Sequence, residues 1–422
     1  MIGFTFIVLF FLILLSIPIS VAIGISVLVF CFFDGTDTVM VVQRMISGLD
    51  SFPLLALPFF ILAGLVMHEG GSTKRIMSFV NSLVGNIRGG LAAICVLSSC
   101  FFGFISGSGV ADTAAIGTVI MPEMVKKGYG KDFTAMLQAS AGVLGMIIPP
   151  SVALIIIGIA AEISIGKILL AGIIPGWLTG IILMIVAILI SRKRGYSGTE
   201  ARVSFKKTLI DAKNAILPLF TPVIIIGGIL SGIFTPTEAG VFAVVYAILL
   251  GLIYKEIGLK DLIKVFKESV IMASTVMFII SAAKPFGWIM AANHIPQVIT
   301  NFFLSITDNP ILIMLSINFL LLILGDFMET ITIILILTPI LVPLVVSLGF
   351  DPVHFGLIMG LNLAIGAITP PLGVTLMTTC RILKIDFPPR FVDWLPFFLA
   401  MVGSLLLLIF FPSLALWLAN LV

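Results

Sequence analysis

Two short stretches, GMIIPP at residues 145–150 and GAITPP at residues 366–371, decide the fold because each interrupts a long apolar run. Proline cannot donate a backbone hydrogen bond and displaces the preceding helical turn, so each stretch predicts a broken helix with free carbonyl oxygens. Both read Gly-x-Ile-x-Pro-Pro, and their positions differ by 221 in the numbering (370 minus 149). The chain is therefore predicted to contain an internal repeat.

Each Pro-Pro stretch follows a longer apolar run that small and polar residues interrupt. These runs are residues 89–122, which contain SGSGVADT, and residues 311–348, which contain GDFMET. Each run is too long for one membrane span of about 20 residues and slightly short for two spans. Each run therefore predicts a re-entrant helical hairpin whose irregular tip lies inside protein or against a watery cavity.

The two hairpins also align with each other, but at a different offset. Asp112-Thr113 and Pro122 match Glu329-Thr330 and Pro339 when the numbering is shifted by 217 (329 minus 112). We expect a four-residue insertion or deletion to reconcile this offset with that of the Pro-Pro stretches.

The composition excludes most other classes of protein. Hydrophobic residues make up 60% of the 422 residues and charged residues only 10%, against about 25% charged in an ordinary soluble domain. The mean hydropathy is +1.28. The net charge of +3 is too small to indicate nucleic-acid binding. The chain is predicted to be an all-α polytopic protein of the lipid bilayer. It contains no Walker, GxSxG or HExxH motif, so we expect no enzyme.

The distribution of charge predicts opposite orientations for the two hairpins. Arg88 and Lys126 flank the first, and basic residues mark the cytoplasmic side. Asp308 and Asp351 flank the second, and no Lys or Arg occurs from residue 285 to residue 380. Hairpins that enter from opposite sides are typical of inverted repeats.

The apolar and polar segments predict five regions. They are scaffold spans with an interfacial helix at 1–88, a first transport repeat at 89–191, a polar connector with scaffold spans and an interfacial helix at 192–268, a second transport repeat at 269–394, and a final span at 395–422. In the two repeats, the broken helices are expected near 133–161 and 353–380. The N-terminal run at residues 4–33 is expected to form one span that is kinked at Pro18.

The interrupted helices also predict a chemistry. Carbonyl and hydroxyl oxygens freed at membrane depth suit a hard cation such as sodium. The second half of each broken helix presents backbone amides at its N-terminus, which favour an anionic group. We therefore expect two sodium sites beside a site for an organic anion.

At these residues the chain resembles the large membrane subunit of a tripartite ATP-independent periplasmic (TRAP) transporter. The matching stretches are SGSGVADTAAIGTVIMPEM, GMIIPPSVALIIIG, LLAGIIPG, GIFTPTEAG, GDFMETITIILILTPILVP and GAITPPLGV. The resemblance implies an elevator-type transporter of the ion transporter superfamily in the bacterial inner membrane. It also implies sodium-coupled uptake of carboxylates such as C4-dicarboxylates or sialic acids.

The resemblance further implies partners and site residues. The partners would be a small four-span membrane subunit and a periplasmic substrate-binding protein. The residues implied for the sodium sites are Ser106, Ser108, Gly145, Ile148 and Pro150 in the first half and Gly325, Gly366, Thr369 and Pro371 in the second. The residues expected near the substrate are Asp112, Thr113, Ser164, Asp326, Glu329 and Asn362.

Several of these features have a second interpretation. Asp112 is either a carboxylate that only stabilises a helix N-terminus or part of the site. Lys284 either extends its ammonium group towards the interface or attracts a carboxylate substrate. A stand-alone symporter of the same superfamily, coupled to sodium or protons, is the alternative function.

Overall fold

The computed structural model describes residues 2–15, 17–84, 89–196 and 205–421, and these residues form helices joined by turns, without a β-strand. Within them, eight helices are long and apolar enough to cross a membrane. The prediction of an all-α polytopic fold is confirmed.

The first half of the chain contains eleven α-helices within the described ranges. They are α1 Ile2–Leu14, α2 Ile19–Asp34, α3 Thr38–Leu49, α4 Ala56–Glu69, α5 Ser72–Val84, α6 Gly90–Ser106, α7 Gly109–Lys126, α8 Lys131–Gly142, α9 Val152–Ala160, α10 Ile165–Ala171 and α11 Ile173–Lys193. A short 3₁₀ turn at Phe52–Leu55 precedes α4, and a second one at Val143–Met146 follows α8.

The second half contains ten more helices in its described part. They are α12 Phe205–Leu230, α13 Pro236–Ile253, α14 Leu259–Ala292, α15 Ile295–Ile306, α16 Pro310–Phe327, α17 Thr330–Ser347, α18 Pro352–Gly366, α19 Val374–Leu383, α20 Phe391–Phe410 and α21 Ser413–Ala419. Residues 85–88, which include Arg88, and residues 197–204 of the polar connector lie outside the described ranges.

The N-terminal run differs from the predicted single kinked span. It forms two helices, α1 and α2, which pack against each other. Pro18 precedes the first residue of α2 with a φ of −52°. Proline fits the start of a helix but not its interior, so the run divides there.

The predicted interfacial helix at residues 258–268 is not a separate element. These residues form the first turns of α14, which has 34 residues and a length of about 51 Å. Val265 in this segment is fully buried, and Lys264 pairs with Glu69 of α4 at 3.0 Å. α14 packs against α2, α3 and α4, and also against α17.

The chain contains two helical hairpins, and each is followed by a broken helix. The hairpins are α6–α7 and α16–α17, and their tips are residues 107–108 and 328–329. The broken helices are α8–α9 and α18–α19, and they are interrupted on either side of the two Pro-Pro pairs. α7 packs against α8, and α16 packs against α18, so each hairpin lies beside the broken helix that follows it.

An ion pair near the basic end of α11 allows a test of how this helix packs against α20 and α8. Arg194 contacts the carboxylate of Asp393 at the start of α20, and the Asp393 side chain is only 9% exposed. The same guanidinium lies 5.4 Å from the ring centroid of Phe133 on α8.

We expect Asp393→Asn to lower the free energy of unfolding by about 2–4 kcal/mol, because it leaves a partly buried arginine without its counter-charge. The measurement is thermal unfolding of the detergent-purified protein. The control is Asp132→Asn, which removes an ion pair with the 81% exposed Arg390 and should cost no more than about 1 kcal/mol. Equal losses in the two variants would contradict this assignment.

Candidate functional site

The tip of the first hairpin is a tight turn that glycine permits. α6 ends at Ser106, and Gly107 follows with a φ of +60°, a region that side chains rarely adopt. Ser108 then caps α7, because its Oγ accepts a hydrogen bond from the Ala111 backbone N–H at 3.4 Å. A Cβ on Gly107 would also collide with the Pro150 carbonyl oxygen. The tip therefore lies directly against the first Pro-Pro stretch.

Backbone hydrogen bonds join this tip to the broken helix. The Val152 N–H, at the start of α9, donates to the Gly107 carbonyl oxygen at 3.0 Å. Ile148 completes the preceding turn by donating its N–H to the Leu144 carbonyl oxygen at 2.8 Å. The hairpin tip and the broken helix thus hold each other in place through backbone groups.

Oxygen atoms of three kinds surround Gly145. A Cβ built on this residue would lie 3.3 Å from the Ser108 carbonyl oxygen and 3.4 Å from both Ser106 Oγ and Asp112 Oδ2. A carbonyl, a hydroxyl and a carboxylate therefore face the space that a larger side chain would fill. These are the donor types that a hard cation prefers.

Asp112 supplies the one carboxylate of this cluster. The residue is fully buried, and neither of its carboxylate oxygens has a partner within hydrogen-bonding geometry, although the Ser99 hydroxyl of α6 lies nearby. An ionised carboxylate in such a position is unfavourable unless a cation or donor compensates it. Asp112 was predicted to lie near the substrate, but the structure places it against the residues predicted to bind sodium.

Thr113 does not contribute to an open site. Its hydroxyl donates to the Gly109 carbonyl oxygen at 2.7 Å, and its side chain is fully buried against Gly142. The sequence placed it beside the substrate because it follows Asp112, but successive residues on a helix point in different directions.

The second half of the chain repeats the close contact between hairpin and broken helix. A Cβ on Gly366 would lie 2.8 Å from the Cα, C and O atoms of Gly325 on α16. In the first half, a Cβ on Gly103 of α6 would lie 3.3 Å from Gly145 Cα. Each half therefore joins a hairpin to a broken helix through two glycines.

The residues that cap the second helix of each hairpin change the alignment of the two halves. Ser108 caps α7 and Glu329 caps α17, and their numbers differ by 221 (329 minus 108). The same offset pairs Pro122 with Pro343, and it is the offset of the Pro-Pro stretches. The predicted pairing of Asp112 with Glu329, and with it the four-residue insertion, is therefore wrong. Asp112 aligns with Ile333, so the second half has no carboxylate at that position.

The second Pro-Pro stretch also places backbone and hydroxyl groups near its glycine pair. Thr369 is nearly buried, and its hydroxyl donates to the Ile365 carbonyl oxygen at 2.8 Å. The Leu372 N–H donates to the Asp326 carbonyl oxygen at 3.3 Å and so joins this stretch to the second hairpin. Pro371, between them, is exposed. The predicted residues of the second site thus lie together, but its oxygen atoms come chiefly from the backbone.

A cavity of about 200 Å³ lies between the two hairpin tips. Its lining includes Ser108 from the first tip and Glu329 from the second, together with Gly325 and Gly366. We call it the tip cavity. Residues that the sequence did not single out also line it, among them Met146, Val152, Met328, Gly373 and Thr375. Of these, only Thr375 carries a hydroxyl group that a sequence pattern would indicate.

A larger cavity of about 610 Å³ adjoins the tip cavity. Ser108, Val152 and Ile331 line both cavities. The larger one continues between the first hairpin and the helices α4 and α14, where His68 and Thr275 line it. The tips therefore adjoin an open space that reaches the last turn of α4 and the middle of α14.

Two other predicted substrate residues lie away from the tip cavity. The Asn362 amide donates to the carbonyl oxygen and to Oδ1 of Asn318, at 2.8 and 2.9 Å, and so links α18 to α16. Ser164 caps α10 by accepting a hydrogen bond from the Lys167 N–H at 3.3 Å. Both side chains have structural roles in this arrangement, and Ser164 also lines a cavity of about 480 Å³ beside Glu162 and Lys284. Their contact with substrate stays a prediction.

The two acidic residues at the second tip are placed differently. The Glu329 carboxylate accepts hydrogen bonds from the N–H and the hydroxyl of Thr332, at 3.2 and 3.4 Å, so it stabilises the start of α17 while it lines the tip cavity. Asp326 is half-buried in the last turn of α16, and its side chain does not line the tip cavity.

Comparison with known proteins identifies the family. The model of the family described as "Tripartite ATP-independent periplasmic transporter, DctM component" matches residues 6–414. The chain is 41% identical over 389 residues to the sialic acid TRAP transporter large permease protein SiaM of Vibrio cholerae, with 92% of this chain and 91% of that protein covered.

Other relatives carry different substrate names. The chain is 39% identical to the C4-dicarboxylate TRAP transporter large permease protein DctM of Pseudomonas aeruginosa, over 88% of this chain and 87% of that one. It is also 39% identical to the isethionate TRAP transporter permease protein DctMQ of Oleidesulfovibrio alaskensis, covering 96% of this chain and 64% of the relative.

Among solved structures, the YdaH transporter of Alcanivorax borkumensis has a similar fold. The TM-score is 0.62, the sequence identity is 14%, and 87% of each chain is covered. At this identity the similarity concerns the fold alone. Taken with the family match and the curated permeases, the helical hairpins and the candidate spans lead to one conclusion: the chain belongs to the DctM family of large membrane permeases of tripartite ATP-independent periplasmic transporters and is a multi-pass protein of the bacterial inner membrane.

Proposed function

We propose that this permease takes up a small organic anion, a carboxylate, together with sodium ions that bind on either side of the tip cavity. The observation that carries the proposal is the position of this cavity. It lies between two hairpin tips, and each tip contacts an interrupted helix through a pair of glycines.

The first sodium site would use Ser106, Ser108, Asp112 and Gly145, with backbone oxygens near Ile148 and Pro150. Its support is the oxygen cluster at Gly145 and the buried carboxylate that lacks a partner within hydrogen-bonding geometry. A bound cation would compensate that carboxylate and fix the hairpin tip against the broken helix.

The second sodium site would use backbone oxygens around Gly325 and Gly366, with Thr369 and Pro371 close by. Because Ile333 replaces Asp112 in the second half, this site would lack a full negative charge. We therefore expect it to bind sodium more weakly than the first site.

The substrate would bind in the tip cavity through helix N-termini. The first residues of α7, α9, α17 and α19 all line this cavity. The aligned peptide dipoles of each helix give its N-terminus a partial positive charge, which favours a carboxylate. Asp112 contributes indirectly, because sodium bound there would order the first of these N-termini.

The transport cycle we propose is an elevator. Both hairpins would be re-entrant and would move with the broken helices as one body, while α1–α5 and α12–α14 would remain as a scaffold. The packing of α14 against α2, α3 and α4 supports its place in the scaffold, which differs from the predicted boundary at residue 269. The small four-span subunit would extend this scaffold, and the periplasmic receptor would deliver the substrate.

Uptake into proteoliposomes tests this function. The chain is reconstituted with the small subunit, and candidate receptors loaded with succinate or N-acetylneuraminate are added outside. We expect uptake only with an inward sodium gradient and a receptor. Uptake by the chain alone would favour the stand-alone symporter, and uptake driven by a pH gradient without sodium would favour proton coupling.

A further inference from the structure

Two further cavities contact α14 farther along the helix than the space that adjoins the first hairpin. One has a volume of about 510 Å³ and the other of about 480 Å³, and Glu162 and Lys284 line both. α14 starts among the basic residues 255–267, which mark the cytoplasmic side, and Lys284 lies near its other end. The positive-inside rule therefore assigns the two cavities to the periplasmic side.

An ion pair connects the two bodies of the transporter in this region. Lys284 Nζ, on α14 of the scaffold, lies 3.5 Å from Glu162 Oε1, in the turn after α9. The Glu162 side chain is 80% exposed and the Lys284 side chain 37% exposed, so the pair is weak and solvent competes with it. The lysine is therefore available to another carboxylate.

The scaffold makes room for the stem of this lysine. A Cβ on Gly48 of α3 would lie 2.5 Å from Lys284 Cγ, so a larger residue there would displace the lysine side chain. The Ser281 hydroxyl, one turn earlier on α14, donates to the Met45 carbonyl oxygen at 3.1 Å and holds the two helices together. The position of the ammonium group is therefore set by the packing of α3 on α14.

A second cation lines the larger of these two periplasmic cavities. Arg44 of α3 has its guanidinium carbon 4.4 Å from the ring centroid of Trp288, and it forms no ion pair within the described part of the chain. Its Nε is buried and has no hydrogen-bond partner. A guanidinium with an unpartnered Nε–H thus lines the same cavity as the Lys284 ammonium group, and both groups can donate hydrogen bonds to a carboxylate.

We propose that Arg44 and Lys284 form a periplasmic carboxylate subsite, in which the Glu162 carboxylate is an internal substitute that the substrate displaces. The proposal rests on the proposed function, because it gives the anion a first binding position before the tip cavity. The cavity volume lies in the range of about 300–1,000 Å³ that is usual for small-molecule sites.

Opposite effects of removing the two partners distinguish this subsite from a purely structural ion pair. Lys284→Gln removes a ligand of the incoming carboxylate, so it should weaken anion binding about tenfold or more. Glu162→Gln removes the competitor and leaves the lysine in place, so it should strengthen binding by about fivefold. If the pair only held the two bodies together, both substitutions would act in the same direction.

The test is a titration followed by Trp288 fluorescence. Trp177, Trp394 and Trp417 are replaced by phenylalanine, and the protein in nanodiscs is titrated with succinate and with N-acetylneuraminate in sodium-free choline buffer. Erythritol serves as the neutral probe. Lys284→Arg should retain binding, and Lys264→Gln is the matched control, because it removes an ion pair with Glu69 from the cytoplasmic end of the same helix.

We expect a saturable change with at least one of the two acids, no change with erythritol, and the opposite shifts described above. The absence of a saturable change with both acids would overturn the proposal, as would shifts in the same direction for the two variants. Calorimetric titration of the chain with its native tryptophans gives the same comparison if the single-tryptophan protein does not fold. Because no sodium is present, a negative result here is distinct from a failure of sodium-coupled uptake.

Discussion

Replacing Gly145 with valine is expected to abolish sodium-dependent uptake in a protein that still folds. The new Cβ would lie 3.3–3.4 Å from the Ser108 carbonyl oxygen, Ser106 Oγ and Asp112 Oδ2, and the two methyl groups would fill the space between them. We expect the initial rate of uptake at a limiting sodium concentration to fall by about a hundredfold, because the ligand geometry of a hard cation tolerates little displacement.

The matched control for this variant is Gly403→Val on α20, where an added Cβ has no neighbour within 4 Å. Both variants should elute as monodisperse protein after size-exclusion chromatography, and only the first should lose transport. Unchanged sodium dependence in a folded Gly145→Val protein would exclude a cation from this position.

Asp112→Asn should produce the second large effect, with opposite signs in the presence and absence of sodium. The wild-type carboxylate is fully buried and lacks a partner within hydrogen-bonding geometry, so its removal should raise the melting temperature in sodium-free buffer. Added sodium should stabilise the wild type but have little effect on the variant, because a ligand stabilises a protein only when it binds the folded state.

The measurement is the melting temperature as a function of sodium concentration, with choline at constant ionic strength. We expect the half-effect concentration of sodium to rise about tenfold or more in Asp112→Asn. Glu329→Gln is the control, because that carboxylate already accepts two hydrogen bonds from Thr332. Equal sodium responses in the wild type and in Asp112→Asn would show that Asp112 only stabilises the start of α7.

The sequence predicted the positions of the helix breaks because the responsible residues act locally. Pro149-Pro150 and Pro370-Pro371 interrupt their helices wherever the rest of the chain lies, and Gly107 permits the turn at the first tip. The all-α fold followed from composition in the same way, since a chain with so few charged residues must bury its backbone polar groups in helices within the bilayer.

The sequence did not predict which groups meet across the fold. Asp112 resembled Glu329 because each acidic residue precedes a threonine, and this similarity suggested a four-residue insertion. The capping roles of Ser108 and Glu329 give the same offset of 221 as the Pro-Pro stretches, and in each half a glycine of the hairpin meets a glycine of the broken helix. Such contacts depend on the packing of separate helices, which no local pattern records.

The ion pair of Lys284 with Glu162 is another contact between separate helices that the sequence did not predict. The two residues are 122 positions apart in the chain, and only the packing of α14 beside the α9–α10 turn brings them together. From the sequence, Lys284 was also consistent with an ammonium group that reaches the interface. The glycine that accommodates it, Gly48, is recognisable only when α3 is placed on α14.

Binding of radioactive sodium-22 to the purified chain addresses the paired cation sites without any need to know the transported acid. We expect two ions to bind per wild-type chain, one per chain after Gly145→Val or Gly366→Val, and none in the double variant. Sodium binding that persists unchanged in the folded double variant, or a wild-type chain that binds no sodium, would contradict the assignment of cations to the two glycine-lined contacts.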